Sequence, residues 1–342
     1  MQPKSPSYRL YYALLFILLV VIFLAELIFG SVFIPIDRLY HALLHPKEAD
    51  FAATILWSIR LPRACTALLA GAALSVCGLQ MQTLFRNPLA DPYVLGISSG
   101  AGLGVAAFVL VFSTGVWAAR LPWALNLGIA GAAWAGALTV SFMVMAAAKR
   151  LPNTMSLLIL GIMIGSAGGA LISLFQYFFP ASDLKMFVLW TMGSFGGVVG
   201  IPLAVMTVLV ACGLAISIYN IKDLNVLLMG ETYAKSLGIN MNVVRNRIFV
   251  STALLAGSVT AFCGPIGFIG IAVPHLARML FKNANHRSLV PSVALLGACI
   301  MLLADLIAQL PGSQQILPIN TVTALLGIPV IILIILQHRS HE

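Results

Sequence analysis

Few side chains in this sequence have chemistry to offer, and they do not converge. Glu26, His275 and Asp305 are the ionisable residues set within hydrophobic stretches, and each lies in a different one. A membrane-embedded enzyme needs acidic, histidine or cysteine groups meeting at one depth, and the spacing gives no such meeting. The five cysteines, Cys65, Cys77, Cys212, Cys263 and Cys299, stand singly in apolar runs, without metal-ligand spacing, and an odd number excludes a fully paired framework. They read as small buried hydrophobes. There is no HExxH and no Walker lysine motif. The chain is therefore expected to be no enzyme, and to bind no cofactor or metal. His275, directly after Pro274, could suggest an axial haem ligand, but a structural role is the expectation.

The charged residues gather instead in polar joints. The longest in the second half, Tyr219 to Arg247, carries Leu224, Leu227 and Leu228 at i, i+3 and i+4, an apolar stripe too short to span a membrane. Gly230 and Gly238 punctuate it and suit a tight reversal and a helix stop. Glu231 and Lys235 are four apart and can support the turn between them. Arg60 and Arg63 flank Pro62 at the head of an apolar segment, and Arg86 and Asp91 bracket the turn at its far end, close enough for a pair or a cap.

The elements that hold these residues are transmembrane helices. The chain of 342 residues is 61% hydrophobic and 8% charged, with a mean hydropathy of +1.02, whereas a soluble domain carries about 25% charged residues. Spans are expected at Leu10–Phe29, Leu61–Leu84, Tyr93–Phe112, Pro122–Ala148, from near Asn153 to Phe175, and at Ile201–Ile218. Further spans follow at Phe249–Phe262, Gly267–Leu280, Leu289–Leu310 and Pro318–Leu336. Gly30–Ile59 reads as aqueous with a short surface helix, Thr114–Arg120 as a turn, and Leu184–Met192 as a short helix that need not cross. The first run has no signal-peptide cleavage pattern and is read as a retained span. With both termini cytoplasmic, about two thirds of the 19 lysines and arginines fall in inside joints, the bias expected of a multi-pass protein. Their dispersal among joints argues against nucleic acid as a partner.

TALLAG occurs at Thr66–Gly71 and again at Thr252–Gly257, each followed at the same offset by Cys-Gly. The copies fall five crossings apart, which predicts an inverted-topology repeat of the kind found in transporters. Ala67, Gly71 and Ser75 lie four apart and flatten one face of the second span, and Gly102 and Gly104 crowd the start of the third. Such faces either pack helices or line a translocation path.

Three stretches in order, RLPRACTALLAGAALSVCGLQMQTLFRNPLADPYVLGISSGAGLG (60–104), MGETYAKSLGI (229–239) and GPIGFIGIAVPHLARMLF (264–281), are followed by NHR, LLADLIA and LPINTVTALLGIPV. Together they resemble the permease subunits of bacterial ATP-driven importers for ferric siderophores, haem and vitamin B12, the FecCD-type family. The resemblance implies a type II importer fold: one all-α permease domain over residues 1–342, with about ten transmembrane helices, in the bacterial inner membrane. It implies pairing with a second copy of the chain, two cytoplasmic ATP-binding subunits that hold ATP and Mg, and a periplasmic substrate-binding protein. Residues 222–242 resemble the family's coupling helices, which assigns Leu224, Leu227, Leu228, Gly230, Glu231, Lys235 and Gly238 to contact with the ATPase. Arg60 and Arg63 match arginines that receive acidic residues of the binding protein. Some members have a further arginine where this chain has Gln309. The cargo expected is an iron chelate, a ferric siderophore or haem, with vitamin B12 as the alternative; a channel or a membrane enzyme ranks lower.

Overall fold

The computed structural model describes residues 8–30, 35–44, 50–112, 122–151, 154–309 and 316–339. The turn expected at Thr114–Arg120 and the charged Lys4, Lys47 and Glu48 lie outside them. All regular structure among the described residues is helical. Among the described residues seven helices are long and apolar enough to cross a membrane, and three shorter apolar helices, Ile97–Val111, Ile269–Phe281 and Ile319–Leu333, bring the number to the ten expected.

The chain begins with α1 (Tyr8–Ile28) and a short α2 (Ile36–Leu44). Next, α3 (Phe51–Ile55) passes through a π-helical turn (Leu56–Arg60) straight into α4 (Leu61–Phe85). The second span was expected to start at Leu61, with Arg60 and Arg63 on its rim. It is in fact continuous from Phe51. Pro62 lacks an N–H and its ring crowds the turn before it, and the wider π turn supplies the slack that lets the helix run through. α4 is buried along almost its whole length and circumference, as a helix apolar on all sides must be.

After α4, the Asp91 carboxylate accepts from the Tyr93 N–H at 2.8 Å and starts a 3-10 turn, Pro92–Leu95, which Gly96 ends at φ 78°. The third span, α5 (Ile97–Phe112), therefore starts four residues later than expected. α6 (Pro122–Ala148), α7 (Thr154–Tyr177), α8 (Ala181–Met192) and α9 (Ile201–Tyr219) follow. Two short helices come next, α10 (Ile221–Leu227) and α11 (Glu231–Ser236). The seventh span, α12 (Met241–Cys263), begins two turns before Phe249 because Asn240 caps it, its side chain accepting from the Asn242 N–H at 3.1 Å. Hydropathy sees only the apolar part of such a helix. α13 (Ile269–Phe281), α14 (His286–Ala308) and α15 (Ile319–Arg339) complete the chain.

Non-helical backbone at membrane depth must find partners in protein, and here it does. The Ser194 N–H, in the stretch between α8 and α9, donates to the Cys263 carbonyl at 2.8 Å. Ahead of α13, the Ile266 N–H donates to the Tyr93 hydroxyl at 3.3 Å and the Gly267 N–H to the Asn320 side chain at 3.0 Å.

The small-residue faces pack helices. A Cβ on Gly71 would overlap the Gly297 carbonyl of α14, and one on Gly297 would strike Ser75. Ala67 on the same face is fully buried. Gly104 meets the Ala132 carbonyl of α6, and a Cβ on Gly102 would come within 3.1 Å of Ile172 on α7. The repeat shows in the packing as well. Gly71 of the first TALLAG meets α14, and Gly257 of the second lies against Trp134 and Ala137 of α6. Each copy thus leans on a late helix of the other half.

Candidate coupling element and buried charge cluster

The insert forms two short helices around a tight reversal. Gly230 sits at φ 110° and Gly238 at φ 80°, left-handed conformations that a side chain would strain. Leu224 and Leu227 are buried in the same core cluster as Ala148, Val244 and Ile248. The expected stripe therefore divides: these two leucines anchor the element to its own subunit, and only Leu228 faces out, 39% exposed. The outward apolar surface is completed by Met229 (68% exposed), Tyr233 (48%) and Leu237 (57%), which the i, i+3, i+4 pattern did not reveal.

Polar ties fix this element on three sides. Glu231 accepts from the Arg245 guanidinium of α12, from the Thr154 hydroxyl at the first residue of α7 (2.8 Å), and from Lys235 one turn on (3.3 Å). Arg247 lies 3.5 Å from Asp223 and covers the Tyr219 ring at 4.9 Å. The Asn225 side chain accepts from the His286 N–H at 2.8 Å and donates to Asn285 at 3.0 Å, which binds α10 to the head of α14. The spacing of Glu231 and Lys235 revealed that pair but not Arg245 or Thr154, since partners 14 and 77 residues away leave no local signal.

At the other charged locus the structure corrects the placement of the arginines. Both are buried, Arg60 5% exposed and Arg63 7%. Arg60 donates to the Leu27 and Ile28 carbonyls at the end of α1, at 2.6 and 2.8 Å, where a cation complements the helix terminus. Arg63 makes a two-pronged pair with Asp305 of α14, 2.7 Å at each nitrogen, a geometry suited to its planar fork. Asp305 faces the bundle interior, as a carboxylate in a span should. Gln309 donates to Asp305 at 3.3 Å and to Glu26 of α1. It therefore ties two carboxylates together. The reason for the inward placement is the unbroken helix from Phe51: the arginines sit well inside it, and a buried carboxylate competes for them better than water does. Arg63 and Asp305 still wall an open cavity of about 290 Å³ with Ser194, Phe195 and Pro318.

Elsewhere, Asp91 caps its own turn and makes no pair with Arg86. Among the described residues no group of histidine, cysteine or acidic side chains could hold a metal ion.

A many-helix bundle whose breaks in mid-span find partners in protein, with a short helix pair that presents an exposed apolar face, fits a membrane transport subunit. The comparisons specify it. Residues 17–337 match the FecCD transport family. The vitamin B12 import system permease protein BtuC of Citrobacter koseri is 41% identical over 285 residues, 83% of each chain. That of Salmonella typhimurium is 41% identical over 283 residues, 82% of this chain and 83% of the relative. A metal-chelate type ABC transporter solved in an inward-facing conformation superposes with a TM-score of 0.81 at 29% identity, over 96% of this chain and 99% of that one. The chain belongs to the FecCD transport family and is an ABC importer permease of that family.

Proposed function

We propose that this chain is the permease of an ATP-driven vitamin B12 importer. The carrying observation is its 41% identity to vitamin B12 permeases over more than four fifths of the chain, which favours a corrinoid over the iron chelate that the sequence first suggested. A second reading, an iron chelate, keeps support from the likeness to a metal-chelate type transporter. Both cargoes are large metal complexes.

In this reading two copies of the chain enclose the path in the bacterial inner membrane, with both termini cytoplasmic. A binding protein delivers cargo at the outer face. An ATP-binding subunit seats on Leu228, Met229, Tyr233 and Leu237, and its movement passes through Glu231 to α12 by way of Arg245 and to α7 by way of Thr154. A rigid element joined directly to two spans is what such transmission requires. Uptake of labelled cyanocobalamin, a ferric siderophore and haem by cells carrying this permease with its ATP-binding and binding-protein subunits tests the cargo. Saturable cobalamin uptake is expected. Iron-chelate uptake without cobalamin uptake would reverse the assignment.

A further inference from the structure

Beside the coupling element lies an open pocket of about 250 Å³ lined by Gln82, Thr83, Arg86, Asn87, Pro88, Leu228 and Arg278. It holds two guanidiniums and no carboxylate. Arg278 of α13 donates to the Gln82 side-chain oxygen at 2.6 Å, and Gln82 is itself fixed by donating to the Gly270 and Ile271 carbonyls at 3.2 and 3.3 Å. A neutral amide thus orients Arg278 without cancelling its charge. Arg86 ends α4 in the left-handed conformation, φ 48°, at a position where glycine is the unstrained choice. Its guanidinium nitrogen lies 3.4 Å from where a Cβ on Gly230 would be. Among the described residues neither arginine has an acidic partner within ion-pair distance. The nearest acids on the insert are spoken for, Glu231 by Arg245 and Asp223 by Arg247.

Two like charges facing one concavity with no counter-charge give it a positive potential that attracts an anion. We infer that this pocket is an anion-binding site for a carboxylate side chain of the ATP-binding subunit. The inference rests on the reading that this subunit seats on the coupling element. Two considerations select a protein carboxylate. Leu228 forms one wall and continues into the exposed Met229, Tyr233 and Leu237, an apolar surface suited to a protein partner. Arginine's planar fork matches a carboxylate at two points. The site would then set the register of the docked subunit, with the apolar residues supplying buried area.

The test titrates purified ATP-binding subunit onto the whole permease in nanodiscs, with neutral or anionic lipid and at several salt concentrations. Arg86→Gln and Arg278→Gln are each expected to weaken association about tenfold at low salt and to flatten its salt dependence, with Arg278→Lys keeping the salt dependence but only part of the affinity, since lysine lacks the planar fork. Unchanged affinity and salt slope in the glutamine variants would overturn the inference. So would loss of co-purifying anionic lipid, read by native mass spectrometry, with subunit affinity intact, since the pocket would then serve a headgroup. Arg86 is exposed, so Arg86→Gln decides the matter if Arg278→Gln fails to fold. Failure of the unaltered permease to bind any ATP-binding subunit would instead sink the proposed function.

Discussion

Replacing Glu231 by alanine should detach α11 from the bundle, and the structure says by how much. The Arg245 side chain is 3% exposed, Glu231 is the acidic partner in its ion pair, and two of its other contacts, Leu151 O and Thr154 Oγ1, are each at 3.4 Å. Stripping a buried charge of its partner costs about 3–5 kcal/mol. Glu231 keeps a 24% exposed side chain, so the lower end applies, about 3 kcal/mol. At a factor of ten for every ~1.4 kcal/mol, the detached state should grow about a hundredfold. The Lys235 side chain, 57% exposed, adds only about 0.3–0.5 kcal/mol as an i, i+4 pair, so Lys235→Ala should raise it about twofold. Amide exchange over residues 230–239 in nanodiscs reads both. Equal acceleration by the two variants, or less than about a threefold change for Glu231→Ala, would refute the reasoning. The same alanine variant should lose transport-coupled ATP turnover.

Three other perturbations have defined outcomes. Asp305→Asn should lower stability by about 3 kcal/mol by stranding the buried Arg63, and pairing it with Arg63→Gln should recover part of the loss in a thermal-unfolding cycle; additive losses would contradict a coupled pair. Gly71→Val should separate α4 from α14 and cost several kcal/mol, of the order of overpacking a tight core, about 1–3 kcal/mol or more, while Gly131→Ala, which meets nothing within 4 Å, should leave the melting temperature unchanged. Gly230→Pro cannot reach φ 110°, so it should abolish ligand-stimulated ATP hydrolysis while insertion into the membrane stays normal; normal uptake in that variant would remove the coupling role.

The helices were legible in the sequence wherever apolar length alone decides them. α6 runs from Pro122 to Ala148, as the hydropathy implies, and α8 and α9 lie within a few residues of expectation. Ends set by polar chemistry were not legible: the capped start of α12 at Met241, the π turn that carries the second span back to Phe51, and the 3-10 turn before α5 all depend on backbone partners. The glycines of the insert were correctly placed because a left-handed residue has a composition signature. Of its three leucines only Leu228 faces out, since so short a stripe does not say which neighbour covers it. The pairing of Arg63 was not legible because its partner, Asp305, lies 242 residues away, a distance over which a sequence shows only that two unusual charges exist.

In the proposed function the outward face of the coupling element receives an ATP-binding subunit from the cytoplasm. The direct measurement is labelling of Met229→Cys and Tyr233→Cys with a membrane-impermeant thiol reagent, in a chain whose five native cysteines have been replaced. Both positions should react only when the inner face of the membrane is presented, and both should be shielded when the ATP-binding subunit is added. Reaction from the outer face, or reactivity indifferent to that subunit, would contradict the account.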